Sequence, residues 1–134
     1  MKKTEIAWAA GFFDGEGCIL IRSHHHEKYY SLEIKISQKR LAPLTYFAKL
    51  FGNGGSIWRS PLGVYQWSVE GAKAARILTI MYPYFQIKKE EADVAFKFRE
   101  GVPPYQRWTD KQRLLSASFK QQLSDMKKEA YANG

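Results

Sequence analysis

The sequence predicts an α+β fold in which two β-hairpins alternate with helices. Tyr29 to Gln38 and Val64 to Glu70 alternate apolar and polar side chains, which is typical of half-buried strands. Apolar residues recur at helical spacing over 41–51 and 72–82. A chain of 134 residues, 45% of them hydrophobic, has enough length to bury a core, so we expect one domain over residues 1–134.

The first element is predicted as a helix that Thr4 caps and that continues to Phe13. The bulky residues Trp8, Phe12 and Phe13 are expected to be buried. Four residues without large apolar side chains share another face at positions i, i+3, i+4 and i+7: Ala7, Ala10, Gly11 and Asp14. Because that face lacks bulk, a second backbone can approach it closely.

The helix is predicted to end in a tight acidic turn, Asp14–Gly17, in which two glycines free the backbone around two carboxylates. Hard cations such as Mg²⁺ bind carboxylate and carbonyl oxygens of this kind. Asp, Gly and Glu also cluster in ordinary surface turns, so a solvated helix end is the alternative interpretation.

The first hairpin is predicted to pair a strand at 17–23 with Tyr29 to Gln38, around a turn at 24–28. Three consecutive histidines in the turn rarely converge on one metal ion, so a solvated loop tip is favoured, with His24 or His26 available to a phosphate. The polar face of the second strand meets either water or DNA. Arg22, Lys35 and Ser37 carry donors and acceptors suited to base edges.

The middle of the chain is predicted as a helix at 41–51 and a second hairpin at 56–60 and 64–70. The first of these helices has the core stripe Leu44, Phe47, Ala48 and Phe51. In the hairpin, Tyr65, Trp67 and Val69 share one face, and we assign the opposite pair, Gln66 and Ser68, to the ligand side.

Three further helices are predicted. The first, at 72–82, is stopped by Pro83. The next follows Lys88-Lys89 and is predicted to bury Ile87, Val94, Ala95 and Phe98. After a break at 101–104, Thr109 caps a last helix to about Tyr131. Its apolar stripe is Leu115, Phe119, Leu123, Met126 and Ala130, and packing on the domain is favoured over a separate DNA-binding arm.

The charge balance points to a polyanionic partner. The chain has 21 basic and 13 acidic residues, a formal net charge of +8. A basic enzyme with an ordinary substrate is the alternative. Cys18 is the single cysteine, which excludes an intrachain disulfide and a cysteine-rich zinc site. We expect an intracellular protein, cytoplasmic or inside an organelle, with no membrane partner and no small-molecule cofactor.

Residues 9–17, AAGFFDGEG, resemble the signature of the LAGLIDADG family in the AGFxDGEG form of its shorter members. Ala9 stands where the pattern usually has a larger apolar residue, and Glu16 where it has Asp or Glu. The resemblance covers residues 4 to about 100 and includes Ser37-Gln38-Lys39 and the segment 83–88. The helical extension at about 105–131 lies outside it.

The resemblance implies an α-β-β-α-β-β-α core with one curved, four-stranded antiparallel sheet and helices on its back. It also implies a homodimer, because this chain has one motif and the family's motif helices pack together about a two-fold axis. The dimer interface would then contain the small-residue face of the first helix: Ala7, Ala10, Gly11 and Asp14.

The function implied is a homing endonuclease that uses Mg²⁺, or another divalent cation such as Mn²⁺, to cut a long, approximately palindromic double-stranded DNA site. Glu16 and the carbonyl of Gly15 would bind metal, and Asp14 would support the site or cap the partner's helix. Gln38 would orient solvent, and Lys88 would lie by the scissile phosphate or the attacking water. Without the resemblance, Gln38 is a polar strand end and Lys88 a solvated charge.

Ten residues are the expected DNA contacts: Arg22, His24, Lys35, Ser37, Lys39, Arg40, Arg59, Gln66, Ser68 and Lys89. Two alternatives to cleavage remain. One is a non-cleaving DNA- or RNA-binding protein of the same fold, a regulator or maturase, and the other is a basic structural or ribosome-associated protein. The presence of Glu16, Gln38 and Lys88 together favours the nuclease.

Overall fold

The computed structural model describes residues 1–102 and 107–133, the last three of these by their backbone only. Its elements are α1 Lys3–Glu16, β1 Gly17–His24, β2 Tyr29–Gln38, α2 Leu41–Leu50, β3 Ser56–Arg59, β4 Tyr65–Glu70, α3 Gly71–Met81, a 3₁₀ turn Tyr82–Tyr84, α4 Lys89–Glu100 and α5 Asp110–Asn133. The predicted α+β class and element order are confirmed. Pro103 and Pro104, in the predicted break, lie outside the described residues.

The four strands form one antiparallel sheet in the order β1-β2-β4-β3. Side chains alternate across it, so each strand contributes to both faces. The face that bears most of the polar side chains is called the polar face below. It consists of Cys18, Leu20, Arg22, His24, Tyr29, Ser31, Glu33, Lys35, Ser37, Ser56, Trp58, Gln66, Ser68 and Glu70.

The core lies between the other face of the sheet and the helices α1 to α4. Ile34, Ile36 and Trp67 are fully buried there, as are Leu44 and Phe47 of α2. The Trp67 and Phe47 rings meet edge to face at 4.9 Å, and the indole N–H donates to the Gly54 carbonyl. This packing leaves the polar face free of the first four helices.

Both predicted ends of the first helix are wrong. α1 begins at Lys3, and the main-chain N–H of Lys2 donates to the carboxylate of Glu5 at 2.8 Å, so Thr4 lies inside the first turn. At the other end the helix continues to Glu16 and enters β1 directly. Positive φ angles are found at other glycines of the described chain, so the acidic segment is the last helical turn.

Gly17 has a packing role at this junction. A Cβ at this position would lie 2.4 Å from the Phe13 ring, which is itself fully buried. The motif therefore needs glycine here because a phenyl ring fills the space. A Cβ on Gly15 would meet no neighbouring atom within 4 Å, so its own chain does not exclude a side chain there.

Some side chains predicted as buried are exposed. Trp8 is 39% exposed and stacks on Phe12 at a ring separation of 5.2 Å. Ile87 is 68% exposed, because it precedes α4 rather than belonging to its buried stripe. In α5, Leu123 is buried, whereas Leu115 and Ala130 at the ends of the predicted stripe are exposed.

The last helix packs on the domain, as predicted. It contacts β1 and α4, and Leu123 enters the core. Thr109 and Gln112 form a reciprocal cap at its start, with bonds of 3.2 and 2.8 Å. β1 is an outer strand of the sheet, and α5 reaches its main chain through Lys127, whose ammonium donates to the Ile19 carbonyl. Within the described chain no helix has the length and apolar character needed to cross a membrane.

Candidate active site and nucleic-acid interface

A cleft opens where the acidic end of α1 meets the polar face. Gly15 and Glu16 line it from α1, Cys18 and Ser37 from the sheet, and Lys88 from the segment before α4. The C-terminal part of α5 closes the other side with Met126, Lys127, Glu129 and Ala130. The structure thus brings Gly15, Glu16 and Lys88 together, and it adds Ser37, which the sequence analysis assigned to the DNA contacts.

Asp14 faces away from this cleft. Its buried carboxylate accepts the main-chain N–H groups of Gln86, Ile87 and Lys88 at 2.8, 3.3 and 3.1 Å. Three N–H donors occupy its two oxygens, so Asp14 caps a loop of its own chain. The role of Asp14 at the helix of a partner chain stays a prediction.

Lys88 is held at the end of α1. Its ammonium donates to the main-chain carbonyl of Asp14 at 3.1 Å, at the helix end where carbonyls lack helical partners. This bond fixes the positive charge of Lys88 at the carbonyl of Asp14, which precedes Glu16 by two residues in the chain. An exposed carboxylate and a held ammonium therefore line one cleft.

The oxygen atoms at the end of α1 fit a hard cation. Gly17 N–H donates to the Phe13 carbonyl, and Lys88 takes that of Asp14, whereas no hydrogen bond of the described residues ends at the Gly15 carbonyl. The Gly15 carbonyl and the exposed Glu16 carboxylate together make a pair of oxygen donors suited to Mg²⁺ or Mn²⁺. One chain supplies only part of a shell: within its described residues, no three His, Cys, Asp or Glu side chains are grouped to hold a metal.

Gln38 lies at the end of β2, outside the group of described residues that line the cleft. Its side-chain carbonyl accepts the N–H of Lys39 at 3.0 Å, and its backbone pairs with Tyr65, opposite to the polar face. Lys39 and Arg40 follow it in an exposed connection to α2. These three residues lie at the rim of the sheet.

The polar face presents rows of side chains across neighbouring strands. Lys35 pairs with Cys18 on one side and Ser68 on the other, and Ser37 pairs with Gln66. The assignment of Gln66 and Ser68 to the face of Lys35 and Ser37 therefore agrees with the observed register.

Arg22 is held by carboxylates on this face. Its Nη1 lies 2.9 Å from Glu33 Oε2 and 3.5 Å from Glu70 Oε1. The hydrogen bond to Glu33 raises the pKa of the Arg22 guanidinium. Burial raises the pKa of the Glu70 carboxyl, and the facing Glu33 raises it further. His24 joins the group through Ser31, with 2.7 Å between Nε2 and Oγ.

Two predicted contacts lie off the polar face. Arg59 pairs with Tyr65, on the same side of the sheet as Trp67, because side chains alternate along the strand. Its guanidinium lies 5.9 Å from the Tyr65 ring centroid. Lys89 is the first residue of α4, and its ammonium lies 5.7 Å from the Tyr82 ring centroid, outside the cleft lining.

The predicted dimer face is only half available. Ala10 is fully buried in its own chain and Asp14 nearly so, because this side of α1 rests on the domain. Ala7 and Gly11 are exposed, and a Cβ at Gly11 would meet nothing within 4 Å. The part of α1 that a second chain could contact therefore still has small side chains at Ala7 and Gly11, and the exposed Trp8 lies next to it.

A comparison with known families identifies the chain. The family model described as LAGLIDADG endonuclease matches residues 9–93, which include the cleft's acidic segment, the whole sheet and the start of α4. The chain belongs to the LAGLIDADG endonuclease family. No curated protein matches the chain significantly.

Solved LAGLIDADG structures share the fold. The homing endonuclease I-CvuI, in complex with the I-CreI target and Mg, superposes with a TM-score of 0.78 at 22% identity, over 91% of this chain and 81% of that one. The archaeal intron-encoded homing endonuclease I-Vdi141I, complexed with DNA, superposes with a TM-score of 0.77 at 15% identity, over 93% of this chain and 85% of that one. The homing endonuclease I-TnaI superposes with a TM-score of 0.72 at 18% identity, over 92% of this chain and 96% of that one.

Several residues that line the cleft or lie on the polar face were not predicted from the sequence. The α5 side chains that line the cleft lie beyond the matched region, and helical periodicity does not show which helix face meets a cleft. Trp58, 44% exposed on the polar face, was also missed. Its alternation with Ile57 and Arg59 in a strand of four residues is too short to assign a face.

Proposed function

We propose that this chain is a homodimeric endonuclease that hydrolyses phosphodiester bonds of a long, approximately palindromic double-stranded DNA site with Mg²⁺ or Mn²⁺. The observation that carries the proposal is the exposed Glu16 carboxylate beside the held Lys88 ammonium, at the margin of the polar face. Membership of the LAGLIDADG endonuclease family supports it.

Glu16 and the Gly15 carbonyl would hold the cation, and a partner chain would complete its shell. When bound, the cation lowers the pKa of water and neutralises charge at the phosphate. Lys88 holds a positive charge where the scissile phosphate or the attacking water would lie, which stabilises the charge that develops on oxygen. Gln38, at the rim of the sheet, would orient solvent, and Asp14 keeps the Lys88 segment in place.

The size of the DNA site follows from the length of the sheet. β2 has 10 residues, which span roughly 33 Å. Two sheets related by a two-fold axis would then cover about 66 Å, or roughly 18 to 20 base pairs at the usual rise. The expected contacts are those of the polar face, Arg22, His24, Lys35, Ser37, Gln66 and Ser68, with Lys39, Arg40, Arg59 and Lys89 outside it.

A second function, a binding protein of the same fold that does not cut DNA or that binds RNA, depends on whether the dimer forms. The described part of a single chain has no ready-made group of three metal-binding side chains. If the dimer does not form, the acidic end of α1 then lacks enough ligands for catalysis, while the basic surface is kept.

Cleavage of a randomised duplex library in Mg²⁺, followed by sequencing of cut ends, separates the two functions. We expect the wild-type protein to cut a restricted set of sites. Glu16→Gln should abolish cutting and retain binding, because it removes a charged ligand but no basic residue. Glu27→Gln is the matched control, since it removes the same charge from an exposed turn outside the cleft and should leave cutting intact. Cutting by Glu16→Gln at the wild-type rate would disprove the assigned role.

A further inference from the structure

We propose that Arg22 reads a guanine in each half of the DNA site, with Glu33 as the positioning residue that fixes the guanidinium. The inference rests on the proposed function and takes the polar face to lie in the major groove, where base edges carry the most sequence information. It adds the identity of one base and the residue pair that recognises it.

Arg22 differs from the other basic side chain of the described polar face. Lys35 takes part in no ion pair of the described residues, whereas Arg22 Nη1 contacts both Glu33 and Glu70, at 2.9 and 3.5 Å. Despite these contacts its side chain is 52% exposed. One side of the guanidinium is therefore fixed by the protein while much of the residue stays accessible.

Glu33 is placed to hold Arg22 and not to contact a base. Its side chain is only 6% exposed, although it belongs to the face that would meet DNA. If Arg22 turned away to reach a distant phosphate, it would leave this carboxylate buried without its cation, which is costly. The arrangement thus favours an arginine that stays in place when DNA binds.

The chemistry of a fixed arginine matches guanine. Arginine has five N–H donors, and the contacts of Nη1 with carboxylates leave donors on Nη2 and Nε. Two such donors match the O6 and N7 acceptors of guanine in the major groove. Because the side chain is already ordered, less conformational entropy is lost when the complex forms.

A neighbouring residue holds the Glu70 carboxylate in turn. Ser31, which pairs with Arg22 across the strands, donates to Glu70 at 3.4 Å and contacts His24 at 2.7 Å. Glu33 and Glu70 face each other across β2 and β4. The cluster spans three strands of the sheet, so the position of the guanidinium is set by the sheet itself.

The test is selection of bound duplexes from a randomised library in EDTA, so that binding is measured without cutting. The wild-type protein should enrich a guanine at one position of each half-site. Arg22→Lys should lose that preference by on the order of tenfold to a hundredfold, with other positions unchanged. Glu33→Gln should lose roughly threefold to tenfold at the same position, and the double variant no more than Arg22→Lys.

Glu27→Gln is the control, because it removes one negative charge from the exposed turn of the same hairpin. Thermal unfolding checks that each variant folds. If Glu33→Gln does not fold, Glu70→Gln replaces it, since this carboxylate also contacts Arg22 and is more exposed. It should weaken the preference at the same position by a smaller factor.

Three outcomes overturn the inference. Equal weakening of all sequences by Arg22→Lys would make Arg22 a phosphate contact. A shift at a different base position in the glutamate variants would mean that a carboxylate reads a base, such as the amino group of cytosine. A wild-type protein that enriches no duplex would reject the proposed function, and this inference with it.

Discussion

Lys88 is joined to Asp14 twice. Its main-chain N–H donates to the Asp14 carboxylate and its ammonium to the Asp14 carbonyl, each at 3.1 Å. The two bonds connect the segment before α4 with the end of α1, although 74 positions separate the residues. Asp14 thus sets the position of the Lys88 ammonium at the cleft.

Lys88→Met should slow cleavage far more than it weakens binding. The substitution removes the ammonium beside Glu16, and loss of one such group costs roughly a hundredfold in rate. Lys97→Met is the matched control, because that side chain is exposed on α4, outside the cleft lining and outside the expected DNA contacts. Single-turnover cleavage and DNA titration measure the two effects. Loss of binding alone in Lys88→Met would identify Lys88 as a phosphate contact.

Asp14→Ala should destabilise the fold by about 2 to 4 kcal/mol, because three main-chain N–H groups lose a charged acceptor in a buried place. Urea unfolding measures the change. Asp125→Ala is the control: Asp125 accepts one side-chain bond from Gln121 on the exposed part of α5 and should change stability by less than about 0.5 kcal/mol. Equal effects would contradict the structural role of Asp14.

Gly17→Ala should destabilise the chain by roughly 1 to 3 kcal/mol, because the new methyl group meets the Phe13 ring. Gly15→Ala should be neutral or stabilising by up to about 1 kcal/mol, since its Cβ has open space and alanine favours the helix. Both are compared by urea unfolding in a Gly11→Leu background, so that dimer formation does not enter. A Gly17→Ala variant with unchanged stability would contradict the packing of Gly17 against the Phe13 ring.

Gly11→Leu should yield a well-folded monomer. The position is exposed within the chain and has no neighbour within 4 Å of its Cβ, so the leucine clashes only with a second helix. Sedimentation should show about twice 15.5 kDa for the wild-type protein and a single mass for the variant. Ala72→Leu, on the exposed surface of α3, should leave the dimer intact. A wild-type monomer, with and without DNA, would reject the two-fold arrangement.

The sheet was predictable because its strands alternate strongly. Leu32, Ile34 and Ile36 are fully buried while Lys35 and Ser37 lie on the other face, as the period of two requires. Register between strands then follows from burial of one face. The β-hairpins thus carry most of the information that places the polar face.

The end of α1 was mispredicted because local propensity and tertiary packing disagree there. Two glycines favour a turn, but the Asp14 carboxylate is bonded to the 86–88 segment and Gly17 fits against Phe13, so the helix continues. The contacts come from residues far away in the chain, which a local pattern does not contain.

The Arg22–Glu33–Glu70 group could not be predicted from the sequence either. Glu33 and Glu70 are 37 positions apart, and each alone resembles a solvated charge on an alternating strand. Only the observed register places both beside Arg22. Side chains of α5 at the cleft escaped for the same reason, because helical periodicity does not show where the helix lies.

The position of α5 has a consequence for the behaviour of the protein at high concentration. An open strand edge offers unpaired N–H and C=O groups to other chains and favours edge-to-edge aggregation. At β1 this edge is occupied by α5, whose Lys127 donates to the Ile19 carbonyl and whose Lys120 reaches Ser23. The other edge, β3, has only four residues. Substitutions on the polar face should therefore leave the resistance of the sheet to strand addition unchanged, because the contacts at β1 and the shortness of β3 do not depend on that face.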